Sequence, residues 1–407
     1  MKVLISGGGI GGLTAALCCL RYGHEVTVFE QAKQFSDIGA GIQIPPNAMK
    51  VFLALGIADI IGEKAVAPHS IEARMGESGR SVFSIPLAEY AQKKWKAPYL
   101  HIHRADYITT LRQVLETRSP GALRLGAKVT HYAQADNSIS MHLEDGNQWE
   151  GDVLIGADGI KSSIREQMFG ADKPRFTGNV AWRAVVPVDV LGDDAPKATA
   201  CAWFGKGRHA VTYRLRGGEL ANFVGVVEQA EWESESWSAR GDKEQLLADF
   251  SNWHPIISRI VNTVKPEHLY QWALFDRAPL TTWTDGRAAL LGDAAHPMLP
   301  FLAQGAAMAV EDSWALADEL SKASRPVETS LIAYQARRTA RTARAQKGSR
   351  ANMKTFHKRS PLSQLATYGP MWLAGRTAPM IVHKRMDWLY GFDVTRAGKG
   401  RGLTGWS

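Results

Sequence analysis

The first thirty residues pass from an apolar run to a glycine-rich run and then to a second, helix-like apolar pattern. Residues 3–6 form a short β-rich apolar segment, residues 7–12 hold five glycines, and residues 13–20 are rich in Ala and Leu at helical spacing. A further apolar run follows and ends in Glu30. The pattern predicts a strand, a tight turn, a helix and a strand in that order.

Apolar spacing farther along predicts more helices and strands. A helix is expected to start at Pro46 and stop at Gly56, because proline fits the first helical turn and glycine suits the end. Another helix is predicted with Asp106 as its N-cap. Alternating runs between residues 128 and 143 predict antiparallel strands, and residues 153–156 predict a buried strand.

Residues 180–270 change character, because tryptophans stand among strand-like runs there. The tryptophans are Trp182, Trp203, Trp232, Trp237, Trp253 and Trp272. The strand-like runs lie at residues 198–204, 210–215 and 221–227. Together they predict an inserted antiparallel sheet, with a helix over residues 244–260. Gly205-x-Gly207-x-x-Ala210 predicts a hairpin, because a strand and not a helix follows it.

A last buried strand is predicted just before Asp293, which it delivers at its end. The segment from Pro300 to Gly305 then turns into a helix. The N-terminus of that helix presents free N–H groups and a positive partial charge.

The glycines of the first turn have the spacing of a dinucleotide-binding loop, Gly7-x-Gly9-x-x-Gly12. Gly7 permits the turn, Gly9 lets the backbone approach a pyrophosphate, and Gly12 lets the helix pack closely on the strand. The helix N-terminus then aims its N–H groups at the phosphates. Glu30 follows Gly12 by eighteen residues, where a carboxylate accepts hydrogen bonds from ribose hydroxyls and disfavours a 2′-phosphate. The sequence therefore predicts FAD or NAD as the ligand.

The fold class expected from these patterns is α/β, or α+β overall. A discontinuous Rossmann-like cofactor-binding domain is predicted over residues 1–69, 99–178 and 273–395. An inserted antiparallel β-sheet domain for the substrate is predicted over residues 70–98 and 179–272. C-terminal helices complete the first domain, and residues 396–407 are predicted to be a flexible tail because they are rich in glycine.

Composition narrows the class of protein. The 407 residues are 45% hydrophobic, which is enough for a large core. We expect a cytoplasmic protein, because no apolar run approaches the length of a membrane span and no signal peptide is evident. Cys18, Cys19 and Cys201 have neither C-x-x-C nor metal-ligand spacing, so we expect reduced, buried thiols, no metal site and no redox-active disulfide.

Much of the net charge of +8 comes from one basic stretch. Steps of three and four place its members on one face of a long helix, which could attract anionic cofactors, lipid headgroups or nucleic acid. We predict a solvated face, with no nucleic-acid partner and no stable membrane association, because no aromatic residues are interleaved for base stacking. The residues are Arg337, Arg338, Arg341, Arg344, Lys347, Arg350, Lys354, Lys358 and Arg359.

Three separated motifs together resemble the single-component FAD-dependent aromatic hydroxylases, which have the p-hydroxybenzoate hydroxylase fold. Within them, the chain is similar to the branch of salicylate hydroxylase and 6-hydroxynicotinate 3-monooxygenase. The order and spacing of the motifs cover the chain to about Asp312. The motifs are Gly7-x-Gly9-x-x-Gly12 with Glu30, Asp158-Gly159-x-x-Ser162-x-x-Arg165, and Gly292-Asp293-Ala294-Ala295-His296 with Pro300 and Gln304-Gly305.

The resemblance implies an NAD(P)H-dependent monooxygenase with tightly bound FAD. It would hydroxylate a small phenolic or hydroxy-heteroaromatic carboxylate with O2 through a C4a-hydroperoxyflavin, and would bind NADH or NADPH transiently. An oxidase or reductase of the same fold, or a non-catalytic flavin sensor, is the alternative. The substrate, the carbon hydroxylated, any decarboxylation, the choice between NADH and NADPH, and a monomeric or homodimeric state are left open.

The resemblance also implies which residues hold the cofactor. Arg104 would contact the pyrophosphate and ribityl region, Asp293 the ribityl hydroxyls, and Asp158 the surroundings of the pyrophosphate. The first turn of the last helix would place N–H groups at the flavin's pyrimidine edge and stabilise negative charge there. The full implied set is Gly7, Gly9, Gly12, Glu30, Gln31, Gln43, Arg104, Asp158, Asp293, Gly305, Ala306 and Ala307.

For the substrate, the resemblance implies that Pro300 borders the aromatic ring. Some relatives place a histidine directly after this proline, where this chain has Phe301. Either the base lies elsewhere, with Tyr213 or His209 as the candidates, or the substrate needs no base there. Arg183 is a candidate partner for a substrate carboxylate, with an ordinary ion pair as the alternative.

Overall fold

The computed structural model describes residues 1–35, 40–172, 174–230 and 240–396. Within these ranges it contains nineteen β-strands and twelve α-helices. The strands are β1 (Lys2–Ser6), β2 (Glu25–Glu30), β3 (Gly41–Ile44), β4 (Ala65–Val66), β5 (Ser70–Met75), β6 (Ser81–Pro86), β7 (Leu100–His103), β8 (Leu123–Leu125), β9 (Val129–Gln134), β10 (Ile139–Leu143), β11 (Gln148–Gly151), β12 (Val153–Gly156), β13 (Arg175–Pro187), β14 (Ala200–Gly205), β15 (Arg208–Leu215), β16 (Leu220–Glu228), β17 (Tyr270–Asp276), β18 (Thr284–Asp285) and β19 (Ala288–Leu290). The helices are α1 (Ile10–Arg21), α2 (Pro46–Leu55), α3 (Ala58–Gly62), α4 (Ala88–Trp95), α5 (Arg104–Arg118), α6 (Ser163–Phe169), α7 (Lys243–Asp249), α8 (Pro255–Thr263), α9 (Gly305–Leu320), α10 (Val327–Phe356), α11 (Pro361–Thr377) and α12 (Pro379–Tyr390).

A six-stranded sheet with the order β18-β19-β12-β1-β2-β8 carries the N-terminal glycine motif. Its pairs are parallel except for β18 with β19. The chain leaves β1 toward β2 on one side and later adds β12 on the other, so the strand order reverses at β1. Such a reversal opens a crevice at the carboxyl ends of the strands, which is where ligands of open α/β sheets bind.

A seven-stranded sheet with the order β17-β13-β16-β15-β14-β5-β6 forms the second layer. Its strands are antiparallel except for β14 with β5. One face packs a hydrophobic core against α7 and α8, with Trp182, Phe223 and Ile257 fully buried in it. On the opposite face, Val224 and Val226 pack against Leu299 and Phe301, which lie in the segment after β19. The mixed α/β fold class is confirmed, and the domain boundaries stay a prediction.

Several local predictions are confirmed and two are wrong. Gly56 closes α2 in the left-handed conformation with φ +70°, and β14 and β15 form the predicted hairpin. The predicted helix over residues 244–260 is in fact α7 and α8, because Asn252 takes φ +61° and Pro255 starts a new helix. Asp106 is not an N-cap. His103 precedes the first turn of α5, and Asp106 lies inside that turn and accepts hydrogen bonds of 2.8 Å from Arg216.

The prediction of a solvated basic face is wrong for the inner arginines of α10. Arg338 is 1% exposed and bonds both Glu311 and Asp312 of α9 at 2.6 Å. Arg341 donates to the same Glu311 at 2.7 Å, and Arg350 bonds Asp276 of β17. Periodicity placed these charges on one face of α10, but that face packs on carboxylates of neighbouring elements rather than facing water.

Three further findings concern the hydropathy of the helices, the cysteines and the described ranges. No helix in the described part of the chain is long and apolar enough to cross a membrane. Cys18, Cys19 and Cys201 are free and buried, as predicted. Trp232 and Trp237, and the predicted tail after residue 396, lie outside the described residues.

Candidate active site

Four strands of the six-stranded sheet bring the motif residues to one edge. The strands β19, β12, β1 and β2 are consecutive in the sheet, so their carboxyl ends lie side by side. Asp293 follows β19, Asp158 follows β12, the glycine loop follows β1, and Glu30 ends β2. The three separated motifs therefore converge in space.

The glycine loop has the geometry that close packing and phosphate binding require. Gly7 has φ +104°, and a Cβ there would lie 2.4 Å from the carbonyl oxygen of Ala157. A Cβ on Gly12 would lie 1.9 Å from the Gly7 carbonyl oxygen, whereas a Cβ on Gly9 would meet nothing within 4 Å. No side chain caps α1. The first N–H groups of α1 thus face open space beside Gly9, as an anion site needs.

Two backbone N–H groups hold the Glu30 carboxylate, one in the glycine loop and one just after β2. Its Oε2 accepts a hydrogen bond from the N–H of Gly8 at 2.8 Å, and its Oε1 accepts one from Ala32 at 2.9 Å. A Cβ on Gly8 would lie 2.9 Å from the Glu30 Cβ. Gly8 therefore permits this contact, a role that the glycine spacing did not predict. Each carboxylate oxygen keeps a lone pair for a ribose hydroxyl.

The charges of Arg104 and Asp293 act on each other within the crevice. Their side chains open into the cavity but protein encloses them on most sides. Enclosure lowers the pKa of the Arg104 guanidinium, while Asp293 and Glu30 raise it. Enclosure raises the pKa of the Asp293 carboxyl, while His296 and Arg104 lower it. Arg104 thus lies within electrostatic reach of both Asp293 and Glu30, and its positive charge suits a pyrophosphate.

Asp158 carries a buried polar atom that is not satisfied. Its Oδ2 accepts from Ser163 Oγ and from the Ile164 N–H at 3.3 Å. Its Oδ1 is buried and has no hydrogen-bond partner among the described residues. Burial raises the pKa of the Asp158 carboxyl. An unsatisfied buried acceptor is costly, so Oδ1 fits a site for a donor on a bound cofactor.

The N-terminus of α9 supplies further free donors. Gly305, Ala306 and Ala307 form its first turn, and Gln304 gives no side-chain cap. The Cβ position of Gly305 lies 3.8 Å from Asp293 Oδ1. Ala303, just before the helix, takes φ +52°, a left-handed conformation that is uncommon for a residue with a Cβ and tends to occur at functional sites.

One cavity of about 1510 Å³ joins the two sheets. A small-molecule pocket usually measures about 300–1,000 Å³, so this cavity has room for a dinucleotide and a substrate together. The predicted residues that line it are Gln31, Gln43, Arg104, Asp158, Arg183, His209, Tyr213, Asp293, Pro300, Phe301, Gly305 and Ala306. The predicted residues outside its lining are Gly7, Gly9, Gly12, Glu30 and Ala307.

Arg183 lies on β13 and lines the cavity. Among the described residues it has no ion-pair partner, and its Nε is buried without a hydrogen bond. The guanidinium lies 4.4 Å from the ring centroid of Trp272. Burial lowers the pKa of Arg183, Tyr213 raises it and Arg104 lowers it. An arginine stays charged even so, and a buried unpaired charge calls for a partner.

Tyr213 and His209 lie on the same face of β15, four residues apart, which corresponds to roughly 13 Å along a strand. Tyr213 is 3% exposed and packs on His101, with ring centroids 4.4 Å apart. A Cβ on Gly41 would lie 2.3 Å from the Tyr213 ring, so Gly41 makes room for it. Burial raises the pKa of the Tyr213 hydroxyl, although Arg183 lowers it. Tyr213 is therefore a neutral hydrogen-bond donor rather than a resting phenolate.

His209 is buried beside the loop that carries the departure from the family pattern. Its ring meets Phe301 edge to face, with centroids 5.2 Å apart. Its Nδ1 lies 2.7 Å from Nε2 of His357. Burial lowers the pKa of His209 well below its usual range, and His357 lowers it further. A neutral His209 on the cavity wall can accept a proton at Nε2, although its lowered pKa makes it a weaker base than a free imidazole.

Comparison with known proteins shows which family this chain belongs to. A family described as the FAD binding domain matches residues 1–349. The chain belongs to that family. The chain is also 35% identical over 401 residues to 3-amino-4-hydroxybenzoate 2-monooxygenase of Streptomyces platensis, covering 98% of this chain and 97% of the relative. It is 36% identical over 397 residues to 6-hydroxynicotinate 3-monooxygenase of Pseudomonas fluorescens, covering 97% and 95%.

A solved structure agrees with these relatives. The HpxO protein of Klebsiella pneumoniae, complexed with FAD and uric acid, superposes with a TM-score of 0.84 at 25% identity, covering 96% of this chain and 97% of that one. The predicted resemblance to the FAD-dependent aromatic hydroxylases is confirmed, and so is FAD as the cofactor. The unsatisfied Asp158 Oδ1, the open space at Gly9 and the two uncapped helices α1 and α9 fit FAD.

Replacing Asp293 by alanine is expected to weaken FAD binding about 10- to 100-fold. A hydrogen bond to a charged group contributes about 1.5–3 kcal/mol, and this carboxylate is predicted to accept from the ribityl hydroxyls. The ratio of flavin to protein after purification and a titration of apoprotein with FAD measure the effect. Asp318→Ala, on the far turn of α9, is the control. Full flavin content with an unchanged Kd would rule out the ribityl contact.

Four further residues contribute to the site through contacts between distant elements, which the sequence does not predict. Asn222 of β16 accepts the N–H of Gly41 at 2.7 Å, and Tyr99 donates to Gln43. Trp272 supports Arg183 from β17, and His357 reaches His209 from beyond the end of α10. Only the tryptophan carried a signal, as one of the aromatic residues among the predicted strands.

Proposed function

We propose that this enzyme hydroxylates a small phenolic or hydroxy-heteroaromatic carboxylate, using NAD(P)H and O2. The observation that carries the proposal is Arg183, a charged side chain on the cavity wall that has no ion-pair partner among the described residues. Its planar fork matches a carboxylate. The two relatives named above act on a hydroxybenzoate and a hydroxynicotinate, and both of these substrates carry a carboxylate and a ring hydroxyl.

In this proposal the substrate spans the cavity between Arg183 and His209. Arg183 binds the carboxylate, while stacking on Trp272 fixes the plane of the guanidinium. Pro300 and Phe301 give the ring an apolar border, and Phe301 excludes water from beside His209. Tyr213 donates a hydrogen bond to a substrate oxygen. His209 takes the proton of the ring hydroxyl, which raises the electron density of the ring for electrophilic attack.

The chain's other site residues are proposed to serve the cofactor. FAD, when bound, supplies the redox chemistry that activates dioxygen. The glycine loop and Glu30 hold its ADP half, and Arg104, Asp158 and Asp293 hold its middle. The N–H groups of Gly305, Ala306 and Ala307 are aimed at its pyrimidine edge, where the helix dipole of α9 favours negative charge.

A panel of aromatic acids tests the proposal. Purified holoenzyme is incubated with salicylate, 3- and 4-hydroxybenzoate, 3-amino-4-hydroxybenzoate or 6-hydroxynicotinate, and with NADH or NADPH. Coenzyme oxidation, oxygen uptake and hydroxylated product are measured together. At least one acid should give product in proportion to the oxygen consumed, and phenol and benzoate, each lacking one of the two groups, should not. Hydrogen peroxide without product from every acid would favour the oxidase alternative.

A further inference from the structure

A continuous row of hydrogen-bonding groups leads from the cavity to the protein surface. His209 lines the cavity from β15, and its Nδ1 lies 2.7 Å from His357 Nε2. His357 follows α10 and is 7% exposed. Its Nδ1 lies 3.2 Å from Glu228 Oε1. Glu228 ends β16, and its side chain is 33% exposed. Two hydrogen bonds thus join the cavity wall to solvent.

The order of partners determines which nitrogen of each neutral ring carries the proton. The Glu228 carboxylate can only accept, so His357 Nδ1 must be the protonated nitrogen. His357 Nε2 then has a free lone pair, and His209 Nδ1 must donate to it. That leaves His209 Nε2 unprotonated. This is the one tautomer in which His209 can act as a base through its second ring nitrogen.

Few charges act on the histidine pair. Arg359 binds Glu228 from the solvent side, with its Nε 3.1 Å from Oε2. Phe301 and Phe356 pack on the His209 ring, with centroids 5.2 and 5.1 Å away. Glu228 and Arg359 are therefore the charged groups, within the described part of the chain, that face the pair. Both stand at its outer end, where a proton can exchange with water.

We propose that His357 and Glu228 form a proton relay that serves His209, carrying the substrate's hydroxyl proton from the cavity wall to solvent. This inference rests on the proposed hydroxylation for its physiological role. His209 is the catalytic residue in it, whereas His357 and Glu228 are positioning residues that act through His209. The relay compensates for the apolar Phe301, which offers no proton acceptor of its own.

The protons balance over one cycle. The substrate O–H breaks and a new N–H forms at His209 Nε2, while the Nδ1 proton passes to His357 Nε2. The Nδ1 proton of His357 passes to Glu228 and from there to water. Both rings are then neutral in the opposite tautomer. A proton that returns along the same row to the oxygen of the hydroxylated product restores the starting tautomers, so the relay has no net proton gain or loss.

Histidine tautomers test the relay without turnover. We expect NMR of the holoprotein labelled with ¹⁵N at histidine to show Nδ1–H on both His209 and His357, with signals assigned through the variants His209→Gln and His357→Gln. An Nε2–H tautomer on His209 would overturn the relay. Because this measurement needs no substrate, it tests the relay independently of the proposed hydroxylation.

Kinetics of His357→Ala test the function of the relay. General acid–base catalysis contributes about 10²–10⁴-fold, so losing the relay should slow hydroxylation at least tenfold and alter its pH profile. Flavin reduction should stay unchanged, and added imidazole should restore most of the rate. His142→Gln, on the separate β9–β10 sheet, controls for loss of a histidine. An unaltered rate and pH profile would overturn the relay, as would a slowed rate that imidazole leaves unrestored at every pH.

Discussion

Replacing Arg338 by alanine is expected to lower the free energy of unfolding by about 3–5 kcal/mol, the range found when one partner of a buried ion pair is removed. Arg338 is fully buried between α10 and α9, where it bonds Glu311 and Asp312. Without it, Asp312 keeps His296 and the Gly292 N–H as its partners among the described residues, and Glu311 keeps Arg341 and Asn47. Urea denaturation of the holoprotein, followed by far-UV circular dichroism, measures the loss.

Lys347→Ala is the matched control, because Lys347 lies exposed on the same helix. It should change the unfolding free energy by no more than about 0.5 kcal/mol. Equal effects of the two substitutions would show that the buried ion pairs of Arg338 with Glu311 and Asp312 do not cause the loss.

The same network predicts how the difference depends on pH. Burial raises the pKa values of Glu311 and Asp312. For Glu311, Arg341 and Arg338 outweigh burial and lower the pKa below its usual range. For Asp312, His296 and Arg338 do the same. Carboxyls with lowered pKa values stabilise the fold above the pKa of the unfolded chain, near 4, and lose that contribution as pH falls. The gap in stability between the wild type and Arg338→Ala should therefore shrink below about pH 4.

The ion pairs of Arg338 are also connected to the cofactor site through Glu311. Gln304 and Asn47 share a hydrogen bond of 3.1 Å, and Asn47 donates to Glu311 at 2.7 Å. These contacts anchor the first turns of α9, whose N–H groups face the cavity. Loss of Arg338 is thus expected to loosen the end of α9 that is proposed to bind the flavin.

The convergence of the motifs was predictable from sequence because it follows from a general rule. The carboxyl ends of parallel strands lie at the same edge of a sheet. If the apolar runs before Gly7, Asp158 and Asp293 are parallel strands of one sheet, these residues lie at one edge. Strand alternation likewise places His209 and Tyr213 on one face. Both inferences need only the local pattern of apolar residues and the usual right-handed connection between parallel strands.

The burial of Arg338 and the contact between His209 and His357 follow from how separate elements dock. Helical periodicity assigns Arg338 to a face but does not say which carboxylates cover that face. His209 and His357 are 148 residues apart, and their contact depends on where α10 ends relative to β15. Charge count and motif spacing carry no signal of either contact.

Replacing Arg183 by glutamine is expected to raise the KM for the carboxylate substrate by about 30- to 4000-fold. Removing one partner of a buried hydrogen-bonded charge pair costs about 2–5 kcal/mol, and about 1.4 kcal/mol corresponds to a factor of ten. The Kd, followed through the change in flavin absorbance on substrate binding, should rise with KM. Flavin content should stay at the wild-type level, because Arg183 lies on β13 of the seven-stranded sheet, whereas the glycine loop follows β1 of the six-stranded sheet.

The neutral amide of the substrate separates recognition of charge from damage to the cavity. Wild type should bind the amide poorly, and Arg183→Gln should bind it about as well as the wild type does, because neither complex contains the ion pair. Arg183→Lys keeps the charge but loses the planar fork and its stacking on Trp272, so its KM should fall between those of the wild type and the glutamine variant. An equal rise in KM for acid and amide would mean that Arg183 supports the cavity wall rather than the carboxylate, and the substrate would then need a different anchor.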